Sequence, residues 1–231
     1  MKRITSLLVF LSAIELLMTN AVQVKAQEEE KSSPIDIGAD LMSRYVWRGT
    51  DYGSSPSIQP HMELGLGGFA LGFWGAYTTN LPGVQELDLY ANYTFSDVVT
   101  IGITDYFFPD EIFGYDYYEF RGDSSAHILE GMASFNGLVN LPLTFMIGYN
   151  FGGDSQHSTY LELGYRFSIL DIFLGAGNGF YTTDGEFNIV NVGISASKDI
   201  RLTEKFSIPI SASFITNPQA KRVHLAFGIS L

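Results

Sequence analysis

The chain has 231 residues, a net charge of −12, 24 glycines, 14% aromatic residues, only 16% charged residues and no cysteine. The lack of thiols excludes disulfides, cysteine-ligated metals and a lipoprotein acylation site, and the acidic balance disfavours a nucleic-acid partner. Past Ala26 no window holds about eighteen unbroken apolar residues, so helical membrane spans are excluded while half-apolar, alternating strands are not.

Met1 to Ala26 places Lys2 and Arg3 before an apolar core, Leu7 to Met18, interrupted by Glu15. That core is too short for a retained anchor and fits a secretory signal, cleaved near Ala26/Gln27. Gln27 to Pro34 reads as a polar periplasmic tail, and 35–231 as one all-β domain.

Ile35 to Gly49 carries a period of two. Ile35, Ile37, Ala39, Leu41, Ser43, Tyr45 and Trp47 share one face, and Asp36, Gly38, Asp40, Arg44 and Arg48 the other. The pattern predicts one long, tilted membrane-crossing strand ending with Trp47 in an outer aromatic girdle and Arg48 at the external rim. Similar alternation recurs over Ile58–Leu66, Phe69–Tyr77, Glu86–Phe95, Val98–Phe107, Ala126–Phe135, Leu141–Phe151, Thr159–Phe167, Asp171–Gly177, Phe187–Lys198, Phe206–Thr216 and Val223–Leu231. The expected fold is therefore an antiparallel up-and-down transmembrane β-barrel of about twelve strands.

Connections alternate between short turns, as at Gly67-Gly68 and Ser96-Asp97, and longer loops, the longest being Phe108 to Ser125. Short periplasmic turns and long external loops are the outer-membrane pattern, and an even strand number puts both ends of the barrel on the short-turn side. Aromatic residues cluster at strand ends: Tyr45, Trp47, Tyr77, Phe107, Tyr149 and Phe151 at one, Tyr93, Phe95, Phe135, Tyr165 and Phe167 at the other. They predict two interfacial girdles. The last strand, Val223 to Leu231, has the form of a signal to the barrel-assembly machinery.

Alternation alone leaves a soluble, ligand-binding barrel open. Scarce lysine on the polar faces, more apolar bulk than a soluble barrel of about eight strands can enclose, and aromatics confined to strand ends favour an apolar face turned to outer-membrane lipid. The lumen then receives Asp36, Asp40, Glu63, Glu86, Asp88, Glu130 and Glu162 with Arg44, Arg48 and Arg166, and an Arg44–Glu63 contact is expected. Two uses of these charges stay open: a salt-bridge ladder that plugs the barrel, or a charged constriction that filters small solutes with a cation bias.

Asp154-Ser155-Gln156-His157-Ser158 assembles the materials of a hydrolase or acyltransferase, yet a polar loop supplies such clusters by composition alone. His61, His127, His157 and His224 lack metal-ligand spacing, the acidic aromatic loop Asp110 to Glu119 lacks an ordered calcium-loop pattern, and Arg121-Gly122-Asp123 is a three-residue match read as a turn. No cofactor, metal or catalytic residue is expected.

The stretch Ser43-Arg44-Tyr45-Val46-Trp47-Arg48-Gly49, followed by Tyr52 and Pro56, then Gly68-Phe69 and Trp74-Gly75, resembles the opening of the TorF family of outer-membrane porins. The resemblance implies an outer-membrane barrel of a Gram-negative bacterium with a transport role and no established substrate, and it transfers no catalytic residue. The resulting expectation is a porin or channel for small solutes with a narrow charged lumen. The alternative is a non-conducting barrel, structural or adhesive, acting through its external loops.

Overall fold

In a computed structural model the described residues are 33–80, 83–109, 116–120, 125–204 and 206–231. The expected signal, the tail up to residue 32 and the Arg121-Gly122-Asp123 tripeptide lie outside them.

The strands in chain order are β1 (Ile35–Met42), β2 (Val46–Trp47), β3 (Thr50–Asp51), β4 (Ser57–Leu66), β5 (Phe69–Thr78), β6 (Gln85–Phe95) and β7 (Val99–Phe107). They continue as β8 (His127–Phe135), β9 (Leu143–Gly152), β10 (Thr159–Phe167), β11 (Leu170–Gly179), β12 (Gly185–Arg201), β13 (Ser207–Asn217) and β14 (Arg222–Ser230). Twelve of them, β1 and β4 to β14, close into an antiparallel barrel in which each strand pairs with its chain neighbours and β1 meets β14. β2 and β3 form a separate two-stranded hairpin.

The wall follows from the period of two. Along β1, Ile35, Ile37 and Leu41 are exposed while Asp40 and Met42 are buried; along β5, Phe69, Leu71, Phe73 and Tyr77 point out while Trp74 and Ala76 point in. The outer surface is therefore a belt of large apolar side chains and the inside holds carboxylates, amides and hydroxyls. This is the reverse of a soluble barrel and the arrangement that a hydrocarbon surround requires. Tyr77, Tyr93, Phe95, Tyr149, Phe151, Tyr165 and Phe167 are all exposed on this outer surface. Tyr93 and Phe95 stack edge-on at 4.7 Å, and Tyr165 and Phe167 lie 4.5 Å apart.

Irregularities in the wall shape the interior. β1 leaves the wall after Met42, so its ladder with β14 is short: Asp40↔Ser230, Leu41↔Ile229 and Met42↔Gly228. The seam is lengthened by Ala39 and Leu231, which exchange backbone hydrogen bonds of 3.1 and 3.0 Å, and by Ser43 Oγ, which accepts from Phe227 N at 2.8 Å. In β12 the register slips opposite Gly175 and Ala176, which face Asn191 and Ile189 respectively. Val190 is the extra residue of this bulge, and both Val190 and Asn191 are buried.

Candidate functional site

The predicted strand over Ile35–Gly49 is corrected by the structure: the wall strand stops at Met42, and the chain turns inward as the β2–β3 hairpin. The hairpin has its own alternation and thus imitates a continuing strand in sequence. Its tip is a two-residue turn at Arg48 and Gly49, with φ of 48° and 82°, between the paired Trp47 and Thr50. Positive φ at both central positions is the type I′ turn that suits a tight hairpin, more often built from Asn-Gly. Tyr52 N donates to Tyr45 O at 2.7 Å, and Arg44 Nη1 donates to Asp51 Oδ2 at 2.6 Å, so the hairpin base is tied by backbone and by charge.

The hairpin docks on the bulge of β12. A Cβ on Gly49 would lie 1.9 Å from the Val190 carbonyl oxygen, so only glycine allows this approach. Asn217 Nδ2 donates to the Gly49 carbonyl at 3.2 Å from β13. Tyr45, Trp74 and Ala76 make one apolar cluster, Met146, Tyr160, Tyr181 and Val190 another, and Trp47 packs against both. Tyr45 and Trp47 therefore line the interior instead of an outer girdle, because lumen packing buries their rings more fully than a lipid interface would.

Arg48 lies toward the long-loop end of the barrel, as expected, but buried inside the lumen and not exposed at the rim: Tyr160, the second residue of β10, and Tyr181, in the loop after β11, flank it. Its guanidinium side chain is 2% exposed, and the Glu130 side chain it meets is 1% exposed. Both Nη groups donate to the two oxygens of Glu130, the Nη2–Oε1 distance being 2.9 Å, and Nη1 also donates to Tyr181 Oη. Tyr106 and Tyr181 hydroxyls donate to the same carboxylate at 3.1 and 3.3 Å. Glycine at 148 leaves room for this carboxylate, whose Oε2 would stand 2.6 Å from a Cβ there. A planar, two-pronged pair with its remaining lone pairs occupied is the form in which a buried ion pair is tolerated.

The other inward charges spread along the lumen. Glu162 accepts from Tyr160 Oη and from Asn191 Nδ2, the latter at 2.9 Å. Glu86 and Asp88 are buried on β6, where Asp88 faces Trp74 of β5 and Tyr106 of β7. Asp40 is buried between Gln59 and Ser230, and Arg166 pairs with Asp171 at 2.6 Å near the short-turn end. The expected Arg44–Glu63 contact is replaced: Arg44 sits on the hairpin and takes Asp51, while Glu63 faces Asp36 across the β1–β4 ladder and accepts from Tyr90 Oη at 2.9 Å. Among the described residues Arg48 is the one buried guanidinium against five buried carboxylates, those of Asp40, Glu86, Asp88, Glu130 and Glu162.

With this geometry in hand, residues 28–215 match the family described as "Bacterial protein of unknown function (Gcw_chp)". The chain belongs to the Gcw_chp family. No curated protein matches its sequence. Among solved structures it is similar to a mutant of the Rh. blastica porin, at 12% identity and a TM-score of 0.41 over 76% of this chain and 55% of that one. The Gcw_chp chain thus spans just over half the length of that porin. It is also similar to an outer membrane channel from Pseudomonas putida F1, at 12% identity and a TM-score of 0.39 over 90% of this chain and 98% of the other.

In this Gcw_chp barrel the Asp154–Ser158 loop is a turn and does not assemble a catalytic dyad. Asp154 accepts from Gln156 N at 2.9 Å, Ser158 N at 2.9 Å and Asn150 Nδ2 at 3.0 Å, while His157 Nδ1 lies 3.3 Å from the Asn150 carbonyl and its ring stacks on Tyr149. Burial alone would raise the Asp154 carboxyl, but the hydrogen bonds from Ser158, Asn150 and Gln156 outweigh it and hold the group below its ordinary value of 3.8. His127 lies under Tyr117 and Phe120 of the long loop, with Nδ1 2.8 Å from Asp105 and Nε2 2.8 Å from the Tyr117 carbonyl. Phe107, expected in a girdle, is buried against Tyr117 and His127.

Sequence reasoning missed Tyr106, Tyr160, Tyr181 and Asn191 as partners of the lumen charges. One signal was available: the apolar phase of β12 shifts from Phe187 and Ile189 to Val192 and Ile194, which marks the bulge at Val190-Asn191.

Proposed function

We propose that this chain is an outer-membrane barrel that acts as a channel for small solutes, with a narrow, acid-lined lumen that the β2–β3 hairpin constricts. The observation that carries the reading is the inversion of the barrel: a continuous apolar exterior around a lumen lined by Asp40, Glu86, Asp88, Glu130 and Glu162. Apolar side chains facing out suit lipid, whereas charges and amides facing in suit a water-filled path or a sealed polar core. The opening motif Ser43–Gly49 supports kinship with the TorF porins, and its chemistry gains a role here because that motif is the constricting hairpin. In this reading an export signal precedes the barrel, and β14 with its terminal Leu231 addresses the barrel-assembly machinery.

Surplus carboxylates make the path cation-selective. Reversal potentials in planar bilayers under a potassium chloride gradient test this: cation preference is expected, and Glu86→Gln with Asp88→Asn is expected to reduce it. No reproducible conductance from heat-modifiable protein, or a preference for anions, would overturn the channel reading. The close packing of Arg48, Met146, Tyr160 and Val190 favours a second reading, a sealed barrel acting through its external loops, and absent conductance is its signature.

A further inference from the structure

The guanidinium of Arg48 sits in a cage. Its Cζ is 4.3 Å from the Trp47 ring centroid, 4.6 Å from Tyr160 and 5.3 Å from Tyr181, and Glu130 receives both Nη groups. Aromatic faces around a pre-oriented carboxylate are the elements by which proteins recognise an organic cation, and the two-pronged contact selects a planar guanidinium over a spherical ammonium.

Most of this cage belongs to the barrel and not to the hairpin. Glu130 is held by the hydroxyls of Tyr106 and Tyr181, and Tyr160 is held by Glu162 and Asn191, from β7, β8, β10, β12 and the loop after β11. Arg48, by contrast, arrives on a turn outside the wall. Two further buried oxygens, Glu86 Oε2 and Asp88 Oδ1, have no hydrogen-bond partner among the described residues, so the interior keeps acceptors beyond those that Arg48 engages.

We propose that the cage formed by Tyr106, Glu130, Tyr160 and Tyr181 is a binding site for small solutes that end in a guanidinium group, and that Arg48 occupies it as a tethered stand-in. A solute of this class crosses by exchanging with Arg48, which its tether then returns to the cage. The inference rests on the channel reading for its biological use but not for its test.

Arg48→Ala removes the stand-in and leaves a guanidinium-sized space. Ethylguanidinium chloride is titrated against this variant in detergent micelles while the temperature of the heat-modifiable transition is followed, with sodium chloride at equal ionic strength as control. The expected result is a saturable upward shift in Arg48→Ala, none in the wild-type protein at the same concentrations, and affinity weakened about tenfold or more in Arg48→Ala/Glu130→Gln. No difference between ethylguanidinium and sodium chloride in folded Arg48→Ala would overturn the proposal. If Arg48→Ala yields no heat-modifiable barrel, the ligand is included during refolding from urea; recovery of the barrel supports the site and failure to recover overturns it. Conductance is read separately: a variant that binds ethylguanidinium and passes no current contradicts the channel reading alone, and one that conducts without binding contradicts the site alone.

Discussion

At the scale of single residues, the Arg48–Glu130 pair carries the sharpest energetic consequence. Removing one partner of a buried ion pair strands the other charge, and the typical loss is about 3–5 kcal/mol. Arg48→Ala and Glu130→Gln are each expected to lower the unfolding free energy measured with urea in micelles by that order, and the double variant to lose less than the two losses combined. Additive losses would mean that the two side chains do not act as a unit. Gly49 makes a second residue-scale prediction. Its φ of 82° and the 1.9 Å approach of the Val190 oxygen leave no room for a methyl group. Gly49→Ala should undock the hairpin while the barrel persists, read as a red shift of tryptophan fluorescence as Trp47 gains solvent, with heat-modifiability retained. An unchanged spectrum would contradict the docking.

At the scale of elements, the loop between β9 and β10 gives a pH-dependent prediction. The Asp154 carboxyl is held below its ordinary value, so the folded loop binds fewer protons than the unfolded chain. Its contribution is present in full above the ordinary value of 3.8 and is lost as pH falls through the lower folded value. Protection factors of the backbone amides of Gln156 and Ser158, taken against the intrinsic exchange rate at each pH, should be high near neutrality and fall once pH drops below that window, and Asp154→Asn should remove the acid-linked part of the change. Protection that falls with acid equally in Asp154→Asn would assign the effect elsewhere.

The same scale shows what could be read in the sequence and what could not. Apart from the bulge in β12, β4 to β14 follow the alternation closely, because one face of every strand joins the apolar exterior belt, the other lines the lumen, and a slip of one residue would reverse both faces. The segment after Met42 kept the alternation but left the wall, since a hairpin inside a barrel is also a strand with two faces. Its punctuation is Arg48-Gly49, and arginine at positive φ gives no local cue of the Asn-Gly kind. The lumen partners were hidden for a related reason. Tyr160 and Tyr181 reach Arg48 from β10 and the loop after β11, Tyr106 reaches Glu130 from β7, and sequence periodicity reports which face a residue takes but not what lies across the lumen.

On the scale of the whole molecule, the closed antiparallel wall has no free edge, and its short β1–β14 seam is reinforced by Ser43 and Leu231. In the proposed reading the exterior belt and the aromatic residues near strand ends would orient the barrel in a bilayer; the hairpin enters the acid-lined interior from the long-loop side. Constriction by this hairpin is the central claim. It is tested most directly by single-channel recording of the wild-type protein beside a variant in which residues 44–51 are replaced by a short Gly-Ser link, both first shown to be heat-modifiable. Small, cation-selective events are expected for the wild type and a several-fold larger cation conductance without the hairpin. Equal conductances, or silence from both folded barrels, would contradict it.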